Sequence, residues 1–154
     1  MQWLERWKDK QIIKVVSGVR RCGKSTLFEI YKNKLLKSGV KKEQIISINF
    51  EDFAFENLTQ AKALYEYITP LLLNDEMNYI FLDEIQHCKN FEKAVDSLFI
   101  KNNCDVYITG SNAYFMSGEL ATVLSGRYVE IQMLPLSFKE FNLGLDEQYG
   151  NCPL

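Results

Sequence analysis

Short apolar runs alternate along the chain with stretches in which apolar residues recur every three or four positions. The runs predict β-strands, and the stretches predict amphipathic helices. The predicted strands are residues 12–16, 44–50, 79–82, 105–109 and 128–133. The predicted helices are residues 1–8, 24–37, 57–68, 90–102 and 117–124, with a further helical turn at 137–140. This alternation predicts an α/β domain with a mainly parallel sheet.

Three of the helices carry an apolar stripe that is expected to face the sheet. In helix 24–37 the stripe is Leu27, Ile30, Tyr31, Lys34 and Leu35, and Gly39 follows the helix end. In helix 57–68 it is Leu58, Ala61, Leu64, Tyr65 and Ile68, and in helix 90–102 it is Phe91, Ala94, Val95, Leu98 and Phe99. The N-terminal helix carries Trp3 and Trp7, which either pack on the sheet or cover one side of a binding site.

Composition and charge narrow the class of protein. The chain has 154 residues, enough for one domain with a substantial core, and it is 47% hydrophobic and 25% charged. Its net charge of −2 does not require a polyanionic partner. No apolar run is long enough to span a bilayer and the N-terminus lacks a signal-peptide pattern, so we expect a cytoplasmic protein without a membrane partner.

Cysteine and histidine usage argues against a zinc site. The four cysteines are scattered without a C-x-x-C pair, and the chain has one histidine. Reduced thiols are the expected state. The tail after Phe141, which contains Gly, Asn and Pro, is not typical of a domain end. Residues 1–154 are therefore expected to be one core domain at the N-terminus of a longer protein.

Residues 17–26 carry the clearest chemistry, because they fit the pattern G-x-x-x-x-G-K-[ST] between a predicted strand and a predicted helix. Two glycines allow the backbone N–H groups to surround phosphate oxygens, and the helix N-terminus adds its positive dipole end. In such loops the lysine, here Lys24, reaches the β- and γ-phosphates, and the hydroxyl of Ser25 ligates Mg²⁺. The residues expected around the phosphates are Gly18, Val19, Arg20, Arg21, Cys22, Gly23, Lys24, Ser25 and Thr26.

Two acids follow the apolar run 79–82. Asp83 and Glu84 are expected at the carboxyl end of a central strand, where open parallel sheets bind ligands. Asp83 is predicted to hold Mg²⁺ through its waters, and Glu84 to polarise the water that attacks the γ-phosphate. The pair is a weak signal alone and a strong one after a phosphate loop.

The next strand ends in Thr109-Gly110-Ser111-Asn112, small polar residues that also suit an ordinary turn. A side chain here can hydrogen-bond both the γ-phosphate and the attacking water. The prediction is a nucleotide sensor, with Ser111 and Asn112 as the two candidates.

Arg127 comes directly before the last predicted strand. A guanidinium that reaches a γ-phosphate stabilises the charge of the transition state. Arg127 is therefore a candidate catalytic residue, acting either within the chain or on a neighbouring subunit of a homo-oligomer. The alternative is an ordinary surface arginine.

Taken together, these four elements resemble the AAA-type ATPase core, specifically a bacterial and archaeal branch related to STAND-type NTPases. The resemblance rests on residues 18–25 as Walker A, 79–86 as Walker B, 107–112 as the sensor strand, and 124–128 with 134–141 as the distal signature. It implies ATP and Mg²⁺ as cofactors and a three-layer fold whose five strands have the order 5-1-4-3-2. It also implies a helical segment and a separate C-terminal domain that act on a protein or DNA partner.

Other nucleotide-binding classes fit the sequence less well. A GTPase needs an N/T-K-x-D motif late in the chain, and a small-molecule kinase does not need Glu84 beside Asp83. A superfamily-1 helicase matches Asp83-Glu84-Ile85-Gln86, but its following strand usually ends differently. The sequence thus predicts Mg²⁺-dependent ATP hydrolysis. A nucleotide-dependent switch or scaffold with little turnover and a nucleic-acid-dependent motor remain the alternatives.

Overall fold

The structure, a computed structural model, describes residues 1–111, 124 and 126–135. Within these residues the chain forms one sheet of five parallel strands with the order β2-β3-β4-β1-β5. The strands are β1 (Ile13–Gly18), β2 (Ile45–Asn49), β3 (Asn78–Asp83), β4 (Cys104–Ser111) and β5 (Tyr128–Met133). The predicted fold class and strand order are confirmed.

The described helices cover both faces of the sheet. They are α1 (Gln2–Trp7), α2 (Lys24–Lys37), α3 (Ala61–Ile68) and α4 (Phe91–Phe99), with 3₁₀ turns at Lys42–Gln44, Phe53–Phe55, Thr69–Leu71 and Ile85–His87. Helix α3 begins four residues later than predicted, because Phe53–Phe55 forms a turn of its own and Gln60 makes a β-bridge to Lys89. The predicted helices at 117–124, apart from Leu124, and at 137–140 lie outside the described residues.

Two apolar layers bury the sheet, as parallel strands require. On one face α3 and α4 pack through Leu64, Ile68, Phe91, Ala94, Val95 and Leu98. On the other face α1 and α2 pack against a cluster that includes Val16, Phe81 and Tyr107. Every residue of β1 and β3 is buried. These strands therefore give a fixed position to the segments that follow their carboxyl ends.

Aromatic packing selects the inward face of α2. The rings of Phe81 and Tyr107 are stacked with centroids 4.7 Å apart, and Phe28 meets Phe81 edge-on at 5.1 Å. The buried stripe of α2 is consequently Phe28, Tyr31 and Leu35. The prediction that Ile30 faces the sheet is wrong, since Ile30 is 52% exposed, and Lys34 also lies at the surface.

A buried ion pair anchors the N-terminal segment at the amino-terminal edge of the sheet. Lys14 Nζ pairs with Asp105 Oδ1, and both side chains are fully buried. Asp105 Oδ2 also accepts hydrogen bonds from the Tyr107 hydroxyl at 2.8 Å and from the backbone N–H of Asp9 at 2.9 Å. Burial lowers the pKa of Lys14 and raises that of Asp105, and each partner opposes the shift of the other.

The same network determines where α1 lies. The Tyr31 hydroxyl donates to the carbonyl of Leu4, and Trp3 packs against the α2-side cluster. Of the two predicted roles for the N-terminal helix, packing on the domain is the one that the structure supports.

Candidate functional site

The loop between β1 and α2 is shaped by close approaches that only glycine allows at Gly18. A Cβ there would lie 2.5 Å from Cys22 Sγ and 2.7 Å from the carbonyl oxygen of Met133 on the neighbouring strand. Gly23 has a φ of +94° and begins the turn into α2, a conformation that L side chains rarely adopt. Arg21 also has a positive φ of +64°. The loop therefore follows a tight path that opens a concavity at the start of α2.

Lys24 lies inside that concavity, with 3% of its surface exposed. Its ammonium donates to the carbonyl oxygens of Gly18 at 3.3 Å and Val19 at 3.2 Å. It also lies 3.1 Å from Glu84 Oε1 across the site. The lysine predicted to bind phosphates and the glutamate predicted to act as the base are thus in direct contact.

Glu84 is directed into the site by its backbone. Its φ of +55° is left-handed, an uncommon conformation for a residue with a side chain. Its N–H donates to the Thr109 hydroxyl at 2.9 Å, and that hydroxyl donates to Asp83 Oδ1. A single threonine on β4 therefore fixes both acids at the end of β3.

A second contact restrains the carboxylate of Glu84. Gln86 lies in the 3₁₀ turn that follows, and its Nε2 donates to Glu84 Oε2 at 2.6 Å. The two oxygens of Glu84 thus have different partners, Lys24 at one and Gln86 at the other.

Lys24 and Glu84 border a cavity of about 330 Å³. The residues that line it are Arg20, Arg21, Gly23, Lys24, Ser25, Thr26, Glu51 and Glu84. At its mouth Arg20 Nη2 lies 3.1 Å from Glu51 Oε1, and both side chains are largely exposed. Cationic side chains, hydroxyls and the N-terminus of α2 meet in one cavity, and this combination suits a phosphorylated ligand.

Oxygen donors are available for a magnesium ion. Ser25 lines the cavity, and Asp83 ends β3 with 7% of its surface exposed. A hydroxyl and a carboxylate suit Mg²⁺, which usually keeps several waters and uses few protein ligands. Among the described residues, no group of three or more His, Cys, Asp or Glu side chains could hold a metal ion. A magnesium ion here would therefore rely on water and phosphate oxygens for most of its ligands.

The remaining candidates differ in their placement. Ser111, the last residue of β4, pairs in register with Gly18 and so lies beside the loop, whereas Asn112 lies outside the described residues. Arg127 is not brought to the loop. It precedes Tyr128, which pairs with Ile13 at the amino-terminal edge of the sheet, opposite the edge at which Gly18 pairs with Met133.

The local contacts of Arg127 agree with that placement. Its guanidinium forms an ion pair with Asp96 on α4 and lies 5.9 Å from the ring centroid of Phe99. Action of Arg127 on a nucleotide bound to its own chain is not supported by this geometry, and action on a neighbouring subunit stays a prediction.

Sequence reasoning missed three residues of the site. Thr109 lies in the predicted sensor segment, and its contact with the acids follows from strand pairing. Leu82 pairs with Ile108, so the next positions, Asp83 and Thr109, share a face. In the sequence, Gln86 stands out only as the last residue of the D-E-x-Q pattern. Glu51 follows β2, and no local pattern marks it as part of the cavity.

The chain is similar to proteins of known family. The AAA domain family matches residues 10–142. A protein of Haemophilus influenzae described as uncharacterised is 46% identical over 142 residues, which cover 92% of this chain and 36% of that protein. A similarly described protein of Methanocaldococcus jannaschii is 38% identical, covering 90% of this chain and 31% of its own length. The chain thus spans about a third of the length of these relatives.

A solved structure agrees with the fold. A DNA polymerase III gamma-subunit-related protein from Thermotoga maritima superposes with a TM-score of 0.63 at 13% identity, over 97% of this chain and 50% of that one. At that identity the likeness concerns the fold. Among the described residues, none of the helices combines the length and apolar character needed to cross a membrane.

Proposed function

The chain belongs to the AAA domain family, and from that premise we propose that it binds ATP with Mg²⁺ and hydrolyses the β–γ phosphate bond. The observation that carries the proposal is the 3.1 Å contact between Lys24 Nζ and Glu84 Oε1 at the N-terminus of α2. The contact supports the proposal because an ammonium group suits phosphate binding and a carboxylate suits the role of a base, and both border one cavity.

The roles of the individual residues follow from that arrangement. Backbone N–H groups of the loop and Lys24 would hold the phosphates. Ser25 and Asp83 would hold the magnesium ion, which supplies charge neutralisation on the phosphate oxygens when bound. Glu84 would accept a proton from the attacking water through the oxygen that faces Lys24. Arg20 and Arg21 line the same cavity and would add positive charge near the phosphates.

Larger-scale roles are proposed on the family alone. We propose on this ground that the ATPase core is coupled to a C-terminal effector region. The relatives are long enough to contain one, since the chain covers 36% and 31% of two of them. Ser111 or Asn112 would sense the γ-phosphate, and Arg127 would act between subunits of a homo-oligomer. A protein or DNA partner and a cytoplasmic location stay predictions.

Paired variants of the full-length protein test the proposed chemistry. Lys24→Ala should abolish ATP binding measured by calorimetry, because it removes the buried cation from the phosphate site. Glu84→Gln should keep ATP binding and lose single-turnover hydrolysis, because the amide is not a base. Lys37→Ala, at the exposed end of the same helix, and Glu56→Gln, at an exposed turn, are the matched controls.

Three results would change the proposal. Normal turnover by Glu84→Gln would refute the base assignment. Tight ATP binding without turnover in the wild-type protein would favour the nucleotide-dependent switch. Stimulation of turnover by single-stranded DNA would favour the nucleic-acid-dependent motor.

A further inference from the structure

Gln86 contacts Glu84 at the carboxylate oxygen that Lys24 leaves unused. Its Nε2 lies 2.6 Å from Glu84 Oε2, whereas Oε1 faces Lys24. We propose that Gln86 is a positioning residue that holds Glu84 by Oε2 and so keeps Oε1 directed at the attacking water. The inference rests on the proposed function, in which Glu84 is the base. Glu84 is among the described residues that line the cavity and Gln86 is not, so Gln86 acts through Glu84.

The orientation of the Gln86 amide is determined by its neighbour. Only the NH₂ group can donate to a carboxylate, since the reverse orientation would bring two acceptors together. Keeping this orientation leaves Gln86 Oε1 buried with no hydrogen-bond partner in the described part of the chain. The amide thus satisfies Glu84 while its own carbonyl oxygen stays unpaired, which costs free energy.

The turn that carries Gln86 is anchored by core residues on either side of it. Ile85 and Cys88 on either side of it are buried in the α3/α4-side core, and the N–H of Cys88 donates to the carbonyl of Ile85 at 2.9 Å. The backbone at Gln86 is therefore fixed relative to β3. Because its own backbone is fixed, Gln86 can restrain the Glu84 carboxylate and does not merely move with it. The Glu84 side chain is 12% exposed.

The restraint matters most when a nucleotide binds. Lys24 would then turn to the phosphates and release Glu84 Oε1. Among the described side chains, Gln86 would remain as the hydrogen-bond partner of the Glu84 carboxylate, while Thr109 holds the Glu84 backbone. Without the hydrogen bond from Gln86, the Glu84 carboxylate would be misplaced relative to the attacking water. Misplacement lowers the rate of the chemical step without weakening nucleotide binding.

Gln86→Met tests this in the full-length protein, because methionine keeps the length of the side chain and removes the donor. We expect kcat to fall by about 10- to 100-fold, with the Kd for ATP unchanged. Gln11→Met, at an exposed glutamine near the opposite edge of the sheet, should leave both quantities unchanged. Unchanged kcat in Gln86→Met, or a weakened Kd, would overturn the proposal.

A second background separates positioning from a general structural role. If Gln86 acts through Glu84, then Gln86→Met should cause a much smaller loss of rate in a Glu84→Asp protein, which keeps a carboxylate base but shortens its reach to Gln86 by one methylene. A further loss of similar size in that background would show that Gln86 acts independently of Glu84, and would refute the assignment.

A measurement without turnover distinguishes failure of this inference from failure of the proposed function. Absence of hydrolysis by the wild-type protein would refute the proposed function. Gln86 is then judged by the NMR resonances of its side-chain amide in the nucleotide-free protein. Glu84→Ala should shift these resonances and Glu56→Ala should not. Resonances that stay in place in Glu84→Ala would overturn the inference whether or not the protein hydrolyses ATP.

Discussion

The hydroxyl of Thr109 joins the two acids of the site, because it accepts a hydrogen bond from the backbone N–H of Glu84 at 2.9 Å and donates one to Asp83 Oδ1. Thr109 is fully buried on β4, and its hydroxyl links the end of β3 to this neighbouring strand in addition to the backbone pairing. The backbone of Glu84 adopts its left-handed conformation at this junction. One side chain therefore couples the stability of the sheet to the placement of both acids.

Thr109→Val should show how far the hydroxyl, as distinct from side-chain packing, contributes to stability and to the placement of the acids. Valine keeps the shape of threonine and removes the hydroxyl. The buried N–H of Glu84 would lose its partner, and we expect the free energy of unfolding to fall by about 1–3 kcal/mol. Hydrolysis should fall as well, because Glu84 is less well placed. Thr109→Ser keeps the hydroxyl and should retain most of both properties. Urea denaturation and single-turnover assays measure the two effects, and equal values for the Val and Ser variants would contradict the role of the hydroxyl.

The strands and the phosphate loop could be predicted because their signals are local. Residues 12–16 and 79–82 are short apolar runs, and the loop motif lies between a strand and a helix. The predicted stripe of α2 is correct at Tyr31 and Leu35 and wrong at Ile30 and Lys34, because Leu27 and Phe28 are both apolar and two neighbouring stripes fit the sequence. The face that includes Phe28 and Tyr31 is buried because Phe81 and Tyr107, far along the chain, present an aromatic surface to it.

Several contacts of the sheet and of the site are less visible in the sequence. Asp105 lies 91 positions from Lys14, and no local pattern pairs a lysine within an apolar strand to that carboxylate. Thr109 and Glu84 meet only because β3 and β4 are neighbours in a given register. The contact between Gln86 and Glu84 is local, but a glutamine in a polar turn is ordinarily solvated, and its role depends on the left-handed backbone of Glu84. Long-range register, which periodicity does not encode, decides such details.

Removing one partner of the buried Lys14–Asp105 ion pair should strongly destabilise the fold. Lys14→Met leaves the Asp105 carboxylate buried without its cation, and we expect a loss of about 3–5 kcal/mol in the free energy of unfolding. Adding Asp105→Asn removes the uncompensated charge and keeps an acceptor for Tyr107 and Asp9. The double variant should therefore be more stable than Lys14→Met alone.

Equilibrium urea denaturation of both variants measures this difference. Lys62→Met, which breaks an exposed pair with Glu66, should leave stability unchanged and is the control. If the double variant were less stable than Lys14→Met, charge burial would not be the cause of the loss.

The buried thiols of Cys88 and Cys104 should make the fold sensitive to alkaline pH. Burial raises the pKa of each thiol from 9.0 to about 11, because the thiolate is poorly solvated in the core. A group with a raised pKa in the folded state stabilises the fold fully below its unfolded pKa and loses that contribution as pH rises toward its folded pKa. The loss should begin near pH 9 and reach about 1 kcal/mol per thiol by pH 10.

The free energy of unfolding in urea, measured from pH 8 to pH 10, checks this dependence in the wild-type protein and in Cys88→Ala/Cys104→Ala. The double variant should be less stable at pH 8, because two core side chains are shortened, but its stability should vary less with pH. Tyr31, Tyr79 and Tyr107, whose pKa values burial also raises, begin to lose their contribution near pH 10. Both proteins contain these tyrosines, so their effect cancels in the comparison. Parallel curves for the two proteins between pH 9 and pH 10 would exclude the thiols as the cause, because only their ionisation differs between the proteins in that range.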